Sequence, residues 1–408
     1  MHRICRSVKE VIFHNGGFMD SVLLTFNTGS STVKIGSFEY DGSSLQKSAK
    51  ADIDFAATPL NFHMERGKER LDIELQTQES ADIVAVLSEV FDKLSAYIEL
   101  SRVKAIGHRV VHGGDIFAGP ALIDDRSIQA IDDLSAYAPL HQPKSLALIK
   151  AIRQLFPDIL QTASFDTAFH RTMPDVIRRL AIPRAMHDQG IKRYGFHGLS
   201  YQSIAQQFNE LQPDLGRKKL VVAHLGSGAS ICALDQGKSV DTSMSFSTLD
   251  GIPMATRCGN IDAGVLLHLL SRQNMSADEV TDMLYHRSGL LGVSGISGDC
   301  RDLLASDAPE AKQAIDLFTT RIAGEITRQA TSLGGVDAVI FTAGIGEHQP
   351  EIRARIARKL QWLGLELDDT ANNNNAFRIT TPSSKIAAFM LATDEEQVIA
   401  SETLTVLN

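Results

Sequence analysis

Histidines, arginines and carboxylates recur in this chain beside glycines, at the ends of apolar runs. Phe26-Asn27-Thr-Gly-Ser-Ser-Thr32 and His224-Leu225-Gly226-Ser227-Gly228 each follow such a run. Small residues in a turn expose backbone N–H groups, and that concavity takes phosphate oxygens. Gly344-Ile345-Gly346, after the run 338–341, is of the same kind; an ordinary hairpin turn is the alternative for each alone. Neither Gly226-Ser227-Gly228 nor Gly344-Ile345-Gly346 has the G-K-[ST] ending of a Walker A loop or the G-x-G-x-x-G spacing of a dinucleotide fold.

His108-Arg109-Val-Val-His112-Gly-Gly114 closes another apolar run. Arg109 suits bidentate binding of an anion, with a surface ion pair as the alternative. Ala138-Pro-Leu140-His141-Gln-Pro143 puts His141 in a rigid turn that could fix it in a site, with an exposed loop histidine as the alternative. Asp166, in Ser164-Phe-Asp166-Thr-Ala-Phe-His170, suits a base or a metal-orienting group, or caps a turn. Arg193-Tyr-Gly-Phe196-His197-Gly198 leads into a helical pattern, and a histidine at a helix start can donate to an anion. Ala255-Thr-Arg257-Cys-Gly-Asn260 adds a second arginine in a glycine turn. Together these are phosphate loops, two arginines, histidines and carboxylates. Phosphoryl transfer needs that inventory, because its catalysis is mostly positioning and neutralisation of charge on equatorial oxygens.

The elements that must hold these groups alternate in pattern. Residues 21–26, a turn cluster and 33–38 read as strand–turn–strand. Apolar residues at 83, 84, 87, 90, 91 and 94 have helical spacing within 80–97. Residues 105–111, 159–165, 338–341 and 386–391 read as strands, 200–211 and 315–333 as helices, and a last helix runs through Glu396 and Ala400. Alternating strands and helices imply an α/β architecture. The stretch 26–33 is echoed by 223–230, about half the chain later, so the sequence suggests a duplicated two-domain protein with two facing loops.

Composition narrows the function classes. At roughly 100–200 residues per domain, 408 residues suggest two or three domains. Forty basic against 49 acidic residues, a net charge of −9, argues against a general nucleic-acid backbone binder. Cys5, Cys232, Cys258 and Cys300 form no C-x-x-C pair, which excludes a zinc ribbon and fits a reducing cytoplasm. No run of 18 apolar residues offers a membrane span. Residues 1–18 lack a period and an apolar signal-peptide core, and read as an appendage; an unrecognised tail is the competing reading.

The sequence resembles the acetate kinase family, within the superfamily of acetate and sugar kinases, heat-shock chaperones and actin. The resemblance runs from about 22 to 400 and rests on FNTGSSTVK, HRVVHGG, APLHQP, FDTAFH, RYGFHG, HLGSGAS, TRCGNID, GVSGISGD, FTAGIGE and TDEEQVIA in the family's order. It implies a duplicated actin-like ATPase (ribonuclease H-like) α/β fold with the active-site cleft between domains. The expected parts are an extension over 1–20, an N-terminal domain over 21–168 completed by about 396–408, and a nucleotide-binding domain over 169–395.

The resemblance also implies roles. Asn27 and Glu395 would place Mg²⁺, with Mn²⁺ as an alternative, and Lys34 would lie near the phosphates. Arg109 would hold the substrate carboxylate, and Val111, Leu140 and Phe196 would form the acyl pocket. Asp166 would be the catalytic carboxylate. His197 and Arg257 would stabilise the transferring phosphoryl group, with His141 nearby. His224, Leu225, Gly226, Ser227 and Gly228 would line ATP or ADP from one side. Asp299, Cys300 and Arg301 would do so from a second side, and Gly344, Ile345, Gly346, Glu347 and His348 from a third. Ser227 and His348 stand where the family usually has Asn, Asn260 and Ala263 depart in the arginine turn, and Ser247-Thr248-Leu-Asp-Gly251 replaces T-P-L-E-G.

The expected activity is reversible, Mg²⁺-dependent phosphorylation of acetate by ATP, giving acetyl phosphate, in a cytoplasmic homodimer without nucleic-acid or membrane partners. Propionate or butyrate kinase is the alternative, and a pyrophosphate-linked variant a more distant one. An actin- or chaperone-like ATPase would share the phosphate loops without needing Arg109, His141, His197 and Arg257.

Overall fold

A computed structural model of the chain describes residues 21–29, 32–41, 44–55, 57–78 and 82–408. The expectation of an extension over 1–20 lies outside the described residues. Strands β1 (Ser21–Thr28), β2 (Thr32–Tyr40), β3 (Leu45–Asp54), β4 (Asn61–Arg66), β5 (Glu69–Glu74), β6 (Val103–Val110), β7 (Ala121–Leu122) and β8 (Leu160–Phe165) build one sheet. Its order is β5-β4-β3-β2-β1-β6-β8-β7. Strands β9 (Lys219–Leu225), β10 (Ala229–Asp235), β11 (Lys238–Thr242), β12 (Ala338–Thr342) and β13 (Ala387–Met390) build a second, in the order β11-β10-β9-β12-β13.

The two sheets contain the same unit. In β3-β2-β1-β6-β8 two antiparallel pairings are followed by two parallel ones. The set β11-β10-β9-β12-β13 repeats that order and those directions. The echoed stretches 26–33 and 223–230 fall where β1 pairs with β2 and β9 with β10, antiparallel in each copy. This is the duplicated α/β fold of the actin-like ATPases, with β4, β5 and β7 added at the edges of the first sheet.

Each sheet is packed on both faces, because alternate side chains of a strand point to opposite sides. On β9, Val221 and Ala223 meet Ile315, Phe318 and Ile322 of the helix Pro309–Leu333. Leu220 and Val222 face the other way, onto Tyr201, Ile204 and Phe208 of the helix Gly198–Leu211. On β1, Leu24 and Phe26 pack with the helices Ile83–Leu94 and Gln142–Leu155. Leu23 faces Ala400 of the last helix, Glu395–Leu407. The chain therefore ends by returning to its first sheet. The helix expected over 315–333 starts earlier, at Pro309, where a proline costs no hydrogen bond.

Candidate active site

Neighbouring parallel strands end at one edge, and that edge collects the polar groups. Asn27 on β1, Arg109 on β6 and Asp166 just beyond β8 line one cavity of about 440 Å³. The second sheet supplies its opposite wall, through His224 on β9 and the Gly226-Ser227-Gly228 connection. The cavity thus lies between the two copies of the repeated unit.

Arg109 is committed to Asp166. Its Nε donates to Oδ1 at 3.0 Å and its Nη2 to Oδ2 at 2.6 Å, while Nη1 donates to the Thr28 carbonyl at 3.1 Å. Asp166 is 1% exposed. Burial raises its pKa against the lowering effect of Arg109. The Arg109 guanidinium is held charged by Asp166 and Glu395 despite its burial.

His197 begins the helix Gly198–Leu211 with left-handed backbone, φ 57°. A Cβ at 198 would collide with the Asp166 carbonyl, so glycine lets this helix start against β8. Tyr201 bonds Ser230 Oγ at 2.5 Å, and Ser230 Oγ bonds His197 Nδ1 at 2.8 Å. Run from the phenol inward, that chain puts the proton on Nε2, the ring edge beside Gly228. The His197 and His224 rings stack at 4.1 Å, and His224 Nδ1 bonds Ser200 Oγ at 2.8 Å. Burial, then His224 and the two arginines, pushes His197 well below its ordinary pKa. Burial takes His224 to about 4, and burial with Arg257 takes His141 to about 3. All three are neutral donors or acceptors at pH 7. His141 sits at the start of the helix Gln142–Leu155.

Arg257 enters from the second half of the chain. Its Nη1 donates to the Thr248 carbonyl at 3.0 Å, and no carboxylate lies within ion-pair distance among the described residues. Ala255 N–H donates to the Ser227 carbonyl at 3.2 Å, which ties the arginine turn to the glycine loop. Lys34, opposite Asn27 across the β1–β2 pair, adds a third cation.

Two carboxylates balance these cations. Asn27 Nδ2 donates to Glu395 at 2.7 Å and to Glu396 at 3.0 Å. Although burial opposes it, Arg109, His224 and the Asn27 bond keep Glu395 below its ordinary pKa, hence ionised. Among the described residues no three His, Cys, Asp or Glu gather into a cage. Oxygen donors on one side of an open cavity fit Mg²⁺, which takes one or two carboxylates and completes its shell with phosphate and water.

A second cavity, about 480 Å³, shares Gly226, Ser227, Gly344 and His348 with the first. Asp299, Cys300, Arg301 and Ile345 line it, and Arg301 forks onto Asp299 at 3.0 Å through Nε. Gly344-Ile345-Gly346, expected as a turn, lies in the short helix Ala343–His348. The reason is Glu347: it lines the first cavity, but its Oε1 accepts from Ala343 N–H at 2.8 Å and from Thr393 N–H at 3.3 Å. Glu347 thus braces the helix against the segment leading to Glu395.

Of the residues expected at the site, Val111 and Phe196 line the first cavity. Leu140 is half-buried and lines neither cavity, Leu225 is in the core, and Gly346 is buried behind the helix. Thr248, one of the departures from the family pattern, lines the first cavity, and Glu396 does so without having been assigned there. Arg353, fully buried, was also not foreseen: it donates to the carbonyls of Gly346, Glu347 and Asn372 and to the Asn372 and Asn375 side chains. Its signal is an arginine on the apolar face of the helix Pro350–Lys359, beside Ile352 and Ile356.

Comparison with known proteins agrees with this geometry. Residues 22–401 match the acetokinase family. An acetate kinase of Rhodopseudomonas palustris (strain TIE-1) is 42% identical over 94% of this chain and 97% of its own length. That of Rickettsia felis is 40% identical over 95% of this chain and all of its own. Among solved structures, a propionate kinase from Francisella tularensis superposes with a TM-score of 0.87 at 35% identity, covering 94% of this chain and 98% of its own. Porphyromonas gingivalis acetate kinase gives 0.83 at 31%, covering 95% and 100%. With the doubled fold, the cavity between its halves and this match over nearly its whole length, the chain belongs to the acetokinase family.

Proposed function

We propose that the chain is an acetate kinase, transferring the γ-phosphoryl group of ATP to a carboxylate oxygen of acetate and running the reaction in either direction. The observation that carries this is the pair of joined cavities. One has Gly226, Ser227, Ala255, Gly298 and Gly344 in its wall, with Asp299 and Arg301, and suits a nucleotide; the other, about 440 Å³, brings Val111, Phe196 and Thr248 into one space with two arginines. Acetate is already ionised at pH 7, so its attack requires no base. Asp166 is correspondingly occupied, holding Arg109 through both carboxylate oxygens.

The bond from the carboxylate oxygen to the γ-phosphorus forms as the bond to the β–γ bridging oxygen breaks, and ADP leaves. Arg257 and the Nε2–H of His197 donate to the equatorial oxygens, where charge must be held in place. Arg109 retains an N–H on Nη2 for the acceptor carboxylate, and Lys34 attends the phosphates. Asn27 and Glu395, with Glu396 beside them, would hold Mg²⁺, or Mn²⁺ on the same oxygens; when bound, the ion supplies neutralisation of phosphate charge. Propionate is the second substrate of the same pocket, since one methylene in an apolar site is worth only about 1–3 kcal/mol.

Residues 21–168 with 396–408 form the acceptor-side domain of this reading, and 169–395 the nucleotide domain. The assembly is a homodimer. The helix Ala263–Arg272 buries none of its residues, and Val265, Leu267 and Leu270 stand exposed, an apolar face suited to a second copy. Free Cys232, Cys258 and Cys300 suit a reducing cytoplasm.

The test is product chemistry with hydroxylamine as trap. With ATP, Mg²⁺ and acetate, acyl hydroxamate accumulates in step with ADP, and without carboxylate neither forms. ADP release that ignores carboxylate contradicts the kinase reading and favours a nucleotide-driven switch.

A further inference from the structure

We infer that His170 is a positioning residue for His197, gripping the peptide group between Phe196 and His197 by its carbonyl end. The inference rests on the reading of His197 as a donor to the transferring phosphoryl group. The C=O and N–H of a trans peptide point in opposite directions from one rigid plane. Here His170 Nε2 bonds the Phe196 carbonyl at 2.9 Å, and on the other side of His197 the Cα of Gly198 packs against the Asp166 carbonyl. The bond anchors the peptide plane, and with it the Cα from which the His197 ring projects.

The hydrogen-bond directions are forced. A carbonyl only accepts, so Nε2 of His170 carries the proton, and Nδ1 accepts from the Ser239 hydroxyl at 2.8 Å. Both residues are fully buried, and burial keeps the imidazole neutral, with a pKa of about 4. Ser239 lies on β11, where its own carbonyl accepts from Thr172 Oγ1 at 2.6 Å. A continuous path therefore runs from an edge strand of the second sheet, through His170, to the peptide that carries His197.

Two backbone features show why a clamp is needed. His197 is a non-glycine residue in left-handed conformation, which persists only where its surroundings over-determine it. Gly195, φ 85°, is the point of closest approach: a Cβ there would sit 2.6 Å from His170 Cδ2 and 2.6 Å from Thr242 Cγ2. Glycine lets the imidazole close on the turn. His170 lines neither cavity, so it acts through the peptide and not on substrate.

The experiment compares His170→Gln with His170→Met, alone and with His197→Ala, reading kcat, KM for ATP and melting temperature. Gln places a side-chain N–H about where Nε2–H sits; Met has similar bulk and no donor. Gln is expected to keep kcat within about threefold. Met is expected to lower kcat on the order of 10–100-fold, with KM for ATP within about twofold. In the His197→Ala background Met should add no more than about twofold, because residues acting through one another are not additive. If Met does not fold, Ser239→Ala carries the test, with an expected loss of about three- to tenfold in kcat that vanishes in the His197→Ala background. Equal kcat for Gln and Met, losses that multiply in the double variant, or unchanged kcat in Ser239→Ala would overturn the inference alone. A His197→Ala enzyme with near wild-type kcat would overturn the His197 assignment and this inference together.

Discussion

Of the two arginines, Arg257 has less to do before substrate arrives: one bond to a backbone carbonyl, and no carboxylate partner among the described residues. Arg109, by contrast, is spent largely on Asp166. A donor held ready for charge that appears only in the transition state should act on kcat. Arg257→Ala is expected to lower kcat by roughly 10²–10³-fold, about 2.7–4 kcal/mol, with KM for ATP little changed. Steady-state kinetics reporting a normal kcat would remove Arg257 from the chemistry. The histidines make a second claim at this scale. The folded pKa of His224 is lowered to about 4 and that of His141 to about 3 by burial, so both protonate only well below neutrality. Their neutral forms are fully populated above about pH 5.5. A kcat–pH profile between 5.5 and 8 should lack a histidine inflection; one centred near 6.5 would show that these rings titrate in the working range.

Among the elements, the helix Gly198–Leu211 is the most exposed to a single change. Gly198→Ala would push its first turn off the Asp166 carbonyl. The expected result is a loss of about 1–3 kcal/mol in stability and at least tenfold in kcat, read by thermal melts and kinetics. Retention of both would mean that the contact is not needed. The same elements show what the sequence could reveal. The strands at 21–26, 33–38 and 338–341 are apolar runs bounded by turn residues, buried on both faces, and their pattern is unambiguous. β5 was not foreseen because it is an outer strand with no fully buried residue and charged side chains along it. The helix Ala263–Arg272 escaped notice because its apolar residues face outward and carry no core-facing stripe. Arg109 and His197 were legible from their glycine neighbours, and Asp166 from its place just after an apolar run. Arg353 was not, because what makes it matter is the set of carbonyls and amide side chains that folding gathers around its guanidinium. Glu347 was assigned to the nucleotide; its bonds to Ala343 and Thr393 show a brace that no local pattern encodes.

For the whole molecule, duplication explains the candidate site: two copies of one five-strand unit each contribute residues at their strand ends to one cavity. The apolar helix Ala263–Arg272 lies outside both cavities and carries the assembly claim. Sedimentation should give a dimer, and Leu267→Asp with Leu270→Asp should shift it to monomer; a wild-type monomer at micromolar concentration would contradict the homodimer. The central claim is that the pocket beside Arg109 and Arg257 selects a short carboxylate and makes its acyl phosphate. The most direct measurement is kcat/KM for acetate, propionate and butyrate with ATP, by hydroxamate trapping, in wild type and Val111→Ala. Wild type should rank acetate first and propionate a measurable second, and Val111→Ala should move the ratio toward the longer acids by enlarging the wall. Butyrate as the best wild-type substrate would contradict the assignment to acetate, and ratios unmoved in Val111→Ala would show that Val111 does not bound the acyl site.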